Sequence, residues 1–294
     1  MPPGNRENLI RQPMDSMRKG IGICAMAATA FLWSIAGLFI KVIDWNPVAI
    51  AGMRSFIASI VLCIYLRHPR FRLSFPQVAA AVANAATMIL FVCANKTTTA
   101  ANAILLQYCA PVLTAFIGAV VLKEKVHGEH YAALPLVAAG LVFMFLERLG
   151  GGRLLGNVIA LMSAVTFSFY FVFMRMQKDE SPLESILLSH WLTAGICFII
   201  SLFLPLPQVT LKAVGAIAVL GVVQIGLSAI LFSIAIKRVS AVQANLIAVI
   251  EPVLNPVWVF IIIGESPGFH ALVGGGIIML AVSMASVITA RRSD

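Results

Sequence analysis

The chain has 294 residues, of which 60% are hydrophobic and 11% are charged, whereas a typical soluble domain carries about 25% charged residues. A soluble fold of this length cannot bury so much apolar surface, so the composition excludes a soluble protein and indicates a membrane protein. The formal net charge of +9 comes from Lys and Arg in short loops between apolar runs, which favours a topological role over nucleic-acid binding.

The N-terminal segment, residues 1–17, is polar, contains three prolines and shows no hydrophobic periodicity. This composition predicts a disordered cytoplasmic tail. The apolar run that follows, from about residue 20 to residue 43, is too long for the core of a signal peptide, and more apolar runs come after it. We therefore interpret it as a retained first transmembrane helix.

Apolar runs separated by charged residues, prolines and glycines recur along the rest of the chain. About 20 apolar residues in a helix cross a bilayer, and continuously apolar runs exclude a β-barrel, whose strands alternate. The sequence therefore predicts an all-α integral membrane protein with ten transmembrane helices. The predicted spans are 20–43, 47–66, 75–95, 99–122, 130–147, 154–176, 183–204, 210–236, 239–262 and 268–290.

Basic residues are distributed unequally between the two sides of this topology. The N-terminal tail, the even-numbered loops and the C-terminus hold 15 Lys and Arg, whereas the odd-numbered loops hold five. Because basic residues concentrate on the cytoplasmic side, the bias predicts a multi-pass protein of the cell inner membrane with both termini in the cytoplasm. It also supports an even number of spans.

The two halves of the chain resemble each other. The segment KTTTAANAILLQYCAPVLTAF, from Lys96, aligns without gaps with KRVSAVQANLIAVIEPVLNPV, from Lys237, at an offset of 141 residues. The first Lys and the Pro-Val-Leu triplet coincide, and so do Glu124 and Glu265 further on. Chance matches of Leu and Ala are common in apolar runs, whereas these matches are harder to obtain by chance.

Earlier in each half the offset is 136, and Arg54 aligns with His190. We predict two five-helix repeats, at residues 18–148 and 149–294. Because five is an odd number, the second repeat enters the membrane from the opposite side. Inverted repeats of this kind are typical of secondary transporters.

Three ionisable side chains interrupt the apolar spans. Glu251 lies near the middle of span nine, and Arg54 and His190 lie at equivalent depths in spans two and seven. A charged side chain at the centre of a span costs about 2.5–3.5 kcal/mol on insertion scales. Glu251 is either a carboxyl that joins helices or a proton or cation site. Arg54 is either a structural cation or an anchor for a substrate carboxylate or phosphate, and His190 is either a satisfied polar residue or a proton relay.

Prolines and further polar side chains accompany these residues inside the spans. Pro111, Pro252 and Pro256 remove backbone donors, so they predict kinks in spans four and nine that gate a pathway. Other polar and aromatic side chains form half-polar faces that either line a cavity or make ordinary interhelix hydrogen bonds. These candidate lining residues are Trp33, Asn84, Gln107, Tyr108, Tyr170, Asn255 and Trp258. Spans five and ten lack such faces and are predicted as scaffold or subunit contact.

Several other chemistries find no support in the sequence. The loop GGGRLLG lacks the preceding strand of a phosphate-binding loop, and HGEH lacks the further ligands of a metal site. The five cysteines lie in apolar runs without a C-x-x-C pair, which is typical of buried structural thiols. We expect neither an enzyme nor a bound cofactor or metal.

Three segments carry a resemblance to a known family. WNPVAIAGMRSFIASIVL, LLQYCAPVLTAF with its later LKE, and VIEPVLNPVWVFIIIGE resemble the EamA-type branch of the drug/metabolite transporter superfamily, over about residues 18–290. The resemblance implies a basket-shaped transporter with a central cavity and alternating access, in a family whose members often export amino acids or other metabolites. Arg54 matches a recurrent arginine of that family, and the Glu251-Pro252 pair matches a family feature with a role in fold or gating.

The sequence thus predicts a secondary active exporter of small polar metabolites such as amino acids, with Glu251 as the protonatable centre. Its expected partners are a small-molecule substrate, membrane lipid and a second copy in a homodimer, with no nucleic acid. The main alternative is a non-transporting membrane scaffold or assembly protein, which would leave the polar interior faces without a purpose.

Overall fold

The computed structural model describes residues 20–123, 128–146, 154–177, 180, 182–236, 238 and 247–293. The predicted N-terminal tail lies outside these residues. Within them the regular elements are helices, which we label in chain order. They are α1 Gly20–Val42, α2 Pro47–Leu66, α3 Phe75–Thr97, α4 Ala100–Val121, α5 Gly128–Leu146, α6 Leu154–Arg175, α7 Pro182–Ser201, α8 Leu211–Ala235, α9 Ile250–Ile263 and α10 Phe269–Ser293.

Seven helices in the described part, α1 to α4 and α6 to α8, are long and apolar enough to cross a membrane. The apolar stretches of α9 and α10 are shorter. Side chains such as Ile64, Phe198 and Leu280 are 66–72% exposed, which suits a surface that faces lipid. These features confirm an all-α, multi-pass membrane protein. Ten crossings stay a prediction, because residues 239–246 of span nine lie outside the described residues.

Helix boundaries follow local sequence signals. Asn46 caps α2 by accepting a hydrogen bond from a first-turn N–H at 2.8 Å, and Pro47 occupies the first turn, where its missing N–H costs nothing. Thr99 and Thr210 cap α4 and α8 in the same way. Gly264 ends α9 with a φ of 80°, a conformation that glycine adopts without a side-chain clash.

Helix packing exchanges partners between the two halves. Helix α3 packs on α6 and α7, and its counterpart α8 packs on α1 and α2. Helix α4 packs on α6, and its counterpart α9 packs on α1. The remaining counterparts pack on each other, α2 on α7 and α5 on α10. A pseudo-two-fold relation between two five-helix units produces this exchange, so the packing supports the predicted repeats.

Loops of like parity meet on the same face of the protein. On one face Trp45, between α1 and α2, donates from Nε1 to the Gln208 carbonyl, between α7 and α8, at 2.7 Å. On the other face Arg72, between α2 and α3, pairs with Glu180, between α6 and α7, at 3.3 Å. Helices that cross a membrane in alternating directions require this separation of odd and even loops.

Helices α5 and α10 pack with their backbones in contact. A Cβ added to Gly140 would lie 2.7 Å from the Gly274 carbonyl oxygen and 2.7 Å from Cγ1 of Ile278. No side chain fits at Gly140 unless these backbones separate. Gly140 and Gly274 therefore allow α5 and α10 to approach closely.

We predict that Gly140→Ala lowers the free energy of unfolding by roughly 1–3 kcal/mol, because the added methyl overpacks the α5–α10 contact. Gly276→Ala is the matched control, since no heavy atom lies within 4 Å of its added Cβ. Thermal unfolding of both variants in detergent measures the difference. Equal midpoints for the two variants would contradict the close contact.

Candidate functional site

Helix α4 is interrupted near its middle. It is helical over Ala100–Gln107 and again over Ala110–Val121, with a turn at Tyr108 and Cys109 between the segments. The Cys109 N–H donates to the carbonyl three residues back, at 3.2 Å, so the α-helical ladder is broken here. Pro111 lies in the first turn of the second segment, where an N–H is not needed.

A turn precedes helix α9 at the equivalent place in the second repeat. Val249 forms a turn and α9 follows it. Pro252 lies in the first turn of α9, and Pro256 lies inside the helix, where it removes a hydrogen-bond donor. Pro111 and Pro252 therefore lie where a helix begins again after a break, whereas Pro256, of these three prolines, has the position of a kinking proline.

Tyr108 and Glu251 lie at these two interruptions. Tyr108 lies in the turn of α4, and Glu251 lies in the first turn of α9. The N-terminal end of a helix favours a carboxylate because its backbone N–H groups point toward it. Next to Tyr108, the Gln107 Nε2 donates to the Ser163 hydroxyl of α6 at 2.7 Å. The break in α4 is thus joined to α6 of the second repeat.

Two tryptophans tie α1 to the second repeat. Trp33 donates from Nε1 to the Ser228 hydroxyl of α8 at 2.9 Å. Trp258 of α9 donates from Nε1 to the Ser34 hydroxyl of α1 at 3.0 Å. Both rings are half-buried and hold fixed orientations, so adjacent residues of α1 contact two different helices.

Asn255 lies one turn after Glu251 on α9 and is fully buried. Neither atom of its carboxamide has a hydrogen-bond partner among the described residues. Its Oδ1 occupies the space that a Cβ on Gly37 would fill. The glycine in α1 therefore allows the Asn255 carboxamide to lie against the α1 backbone.

Arg54 and His190, aligned by the repeat, come together where α2 crosses α7. Arg54 is 1% exposed and His190 is 2% exposed. The Arg54 Nη2 donates to the Met88 carbonyl at 3.2 Å and contacts the Met88 Sδ at 3.5 Å. The described residues hold no ion pair between Arg54 and a carboxylate, Glu251 included.

A buried polar layer connects α3, α6 and α7. The Asn84 Nδ2 donates to the Ser189 hydroxyl at 2.8 Å, and the Thr87 and Thr166 hydroxyls are hydrogen-bonded at 2.8 Å. Tyr170 is 7% exposed, and its ring stacks on Phe167 of the preceding turn at 6.0 Å between centroids. Asn84 of α3 therefore has a hydrogen-bond partner on α7, in the other repeat.

One carboxylate joins three segments at the face of the odd-numbered loops. Glu265, after α9, accepts the Ala100 N–H of α4 at 2.8 Å and pairs with Lys41 of α1 at 2.9 Å. Lys41 also donates to the Thr98 carbonyl at 2.7 Å. We call these four residues the Lys41–Glu265 lock. The lock holds the loop between α9 and α10, in the second repeat, against α1 and α4 of the first repeat.

The predicted site residues thus form three groups rather than one. Tyr108, Glu251 and Gln107 lie at the helix interruptions, the α1 contacts include Trp33, Asn255 and Trp258, and Arg54 lies with His190. Asn84 and Tyr170 lie near the third group's helices. Among the described residues no cluster of three or more His, Cys, Asp or Glu side chains has the arrangement of a metal site.

The lock was not predicted from the sequence, although a signal was present. The repeat alignment marked Lys96 and Glu265 as equivalent to residues of the other half, which sets them apart from ordinary loop charges. Lys96 donates to the Ile43 carbonyl, beside the lock. Lys41 carried no such signal, because its repeat equivalent is Gln177.

Comparisons with known proteins identify the family of the chain. The model of the EamA-like transporter family matches the chain twice, over residues 20–146 and 154–287. An uncharacterized transporter of Archaeoglobus fulgidus is 26% identical over 267 residues, which are 90% of this chain and 96% of the relative. An uncharacterized transporter of Clostridium kluyveri is 27% identical over 200 residues, 60% of each chain.

A solved crystal structure superposes on this fold with a TM-score of 0.66 at 20% sequence identity. The match covers 95% of this chain and 99% of that one. At this identity the likeness shows that the two chains share a fold.

We predict that the Lys41–Glu265 lock contributes measurably to stability, because the Lys41 and Glu265 side chains are only 17% and 24% exposed. Glu265→Gln weakens two contacts and Lys41→Met removes one ion pair and one hydrogen bond. A double-mutant cycle on thermal unfolding in detergent should give a coupling energy of about 0.5–1.5 kcal/mol. Strictly additive effects would show that the two side chains act independently.

Proposed function

Because the chain belongs to the EamA-like transporter family, we propose that it is a secondary active transporter that exports small polar metabolites, such as amino acids, by alternating access through a central cavity. The observation that carries the proposal is the pair of matched interruptions just before Pro111 and Pro252, with Glu251 in the first turn of α9. Secondary transporters build their substrate and ion sites from such discontinuous helices at the repeat interface.

The exchange of helix partners between the halves supports alternating access. Two units with the same fold can each adopt the conformation of the other, which gives two states of similar energy. In the inner membrane, with both termini in the cytoplasm, the Lys41–Glu265 lock lies on the outer side. Opening the outer side then requires that Glu265 leave Lys41 and the Ala100 N–H.

On the opposite face, the position equivalent to Lys41 in the second repeat is occupied by a neutral residue. Gln177, the repeat equivalent of Lys41, is hydrogen-bonded to Ser185 and, at 3.3 Å, to Ser74. Breaking these neutral contacts does not separate charges, whereas opening the lock does. The Arg72–Glu180 ion pair on the opposite face is more exposed than the lock, with side chains 75% and 36% exposed, so solvent screens it more strongly. We propose that this difference biases the resting protein toward a closed outer side.

Glu251 is the proposed proton-binding centre. It has no ion-pair partner among the described residues, and an unpaired carboxylate in a membrane interior is costly unless it binds a proton or faces water. Alternating exposure of this group to the two sides would couple proton binding to the conformational change. Pro111, Pro252 and Pro256 would keep the adjoining helix segments discontinuous during that change.

The remaining predicted site residues have supporting roles in this proposal. Trp33 and Trp258 would shape the wall of the pathway on either side of α1, and Asn255 would supply its unpaired carboxamide one turn from Glu251. Arg54, His190, Asn84 and Tyr170 would line the half of the cavity formed by α2, α3, α6 and α7, and Gln107 would lie beside Tyr108 at the break in α4.

We predict that Glu251→Gln abolishes the pH dependence of transport without unfolding the protein, because glutamine keeps the shape of the side chain and cannot exchange a proton. The substrate is first found by thermal-shift screening of amino acids, nucleosides, polyamines, sugar phosphates and cationic drugs. Uptake of the radiolabelled hit into proteoliposomes is then compared at pH 6 and pH 8. Glu184→Gln, at a buried carboxyl in the first turn of α7, is the matched control. An unchanged pH profile in Glu251→Gln would remove Glu251 from the coupling mechanism.

We also predict that bridging the lock stops transport. Cysteines at positions 41 and 265 are introduced after replacement of the five native cysteines, and a reducible bifunctional thiol reagent joins them. Transport in proteoliposomes should cease on bridging and return on reduction, because the outer side can no longer open. The singly substituted Lys41→Cys protein with the same reagent is the control. Full transport by the bridged protein would exclude this face as a gate.

A further inference from the structure

Arg54 has far fewer partners than a buried guanidinium requires. It ranks among the largest fully buried side chains of the described residues. A guanidinium carries five N–H donors, yet the recorded contacts are those of Nη2 with Met88, and Nε has no partner. Two ion pairs occur in the described part of the chain, and neither includes Arg54. A buried charge in this state is unfavourable until an anion approaches it.

Further polar atoms without partners lie on the helices that surround Arg54. The Ser55 hydroxyl on α2 and the His190 Nδ1 on α7 are buried and have no hydrogen-bond partner in the described structure. The Gln224 Oε1 on α8 is in the same condition. Native structures rarely leave so many buried polar atoms unpaired unless a ligand or water completes the site.

The helix that packs on Arg54 has an unusual backbone. Val219–Leu227 of α8 is π-helical, a geometry that is rare and is concentrated at functional sites. A Cβ on Gly221, within this segment, would lie 3.0 Å from the Arg54 carbonyl oxygen and 2.5 Å from Cβ of Ile57. The widened turn therefore lies directly against the α2 backbone at Arg54.

We propose that Arg54 binds a carboxylate group of the transported solute where α2 crosses α7. This inference rests on the proposed function and specifies its substrate class, which is a small organic molecule with one carboxylate. A carboxylate offers two oxygens that match the guanidinium fork. One carboxylate also balances the single charge of Arg54, whereas a doubly charged phosphate would leave one negative charge buried without compensation.

The test uses matched pairs of carboxylates and their primary amides, with the purified protein in detergent. The pairs are glycine and glycinamide, L-alanine and L-alaninamide, L-leucine and L-leucinamide, and lactate and lactamide, with inorganic phosphate and glycerol phosphate as further probes. At least one carboxylate should raise the unfolding midpoint, and its amide should not. An amide that binds as well as its acid, or phosphates that bind better than every carboxylate, would overturn the proposal.

Variants of Arg54 separate an anion site from a structural role. Arg54→Gln should weaken binding of the carboxylate at least about tenfold, because a charged hydrogen bond is lost, and Arg54→Lys should weaken it less. The midpoint of unliganded Arg54→Gln should stay level or rise, since an unpaired buried charge is removed. Arg72→Gln, at an exposed arginine, is the control and should bind as the wild type does. A marked loss of unliganded stability that lysine restores would overturn the proposal and identify a structural brace.

Failure of this inference can be told apart from failure of the proposed function. If only neutral or cationic solutes bind and exchange across proteoliposomes, Arg54 is not a carboxylate anchor, and the protein is still a transporter. If neither these probes nor the wider panel of solutes bind or exchange, both proposals fall, and the scaffold alternative gains support.

Discussion

Backbone hydrogen bonding is the constraint on which this structure depends. Within a bilayer, each N–H and C=O must find a partner inside the protein, so continuous helices are the default. Helices α4 and α9 depart from that default at equivalent positions, just before Pro111 and Pro252. Such breaks are tolerated where protein groups or water meet the freed backbone, and Tyr108 and Glu251 lie at these breaks. The breaks in the two helices therefore belong to the fold and also form the candidate site.

The two halves are equivalent in fold but differ in the side chains that close them. Helix partners exchange regularly between the repeats, whereas Lys41 and Gln177 occupy equivalent positions with different charge. Similarly, Arg54 and His190 are equivalent positions that meet at the crossing of α2 and α7. A symmetric scaffold with unequal side chains provides two conformations of comparable energy and a means to favour one of them.

Much of this arrangement could be predicted from local sequence patterns. Hydrophobic runs located the described helix ends to within a few residues, except at span nine, which was predicted from residue 239 while α9 begins at Ile250. Pro111 and Pro252 were predicted as kinks, and in the structure they lie in the first turn of a helix segment. The lock escaped prediction because Lys41 and Glu265 are distant in sequence and meet only after the repeats dock. The π-helical segment was not predicted, because its residues have the apolar composition of an ordinary transmembrane helix. Its two glycines, Gly221 and Gly226, are five residues apart, and both lie against α2.

Distances measured across both faces at once test the central claim most directly. One pair of spin labels, at positions 44 and 266, reports the distance across the outer face. A second pair, at positions 70 and 238, reports the distance across the other face. The native side chains at all four positions are exposed. In lipid nanodiscs, Glu265→Gln weakens the lock. Alternating access predicts that the outer distance lengthens while the inner distance shortens. An outer distance that lengthens with no change in the inner distance would contradict the exchange of roles between the repeats.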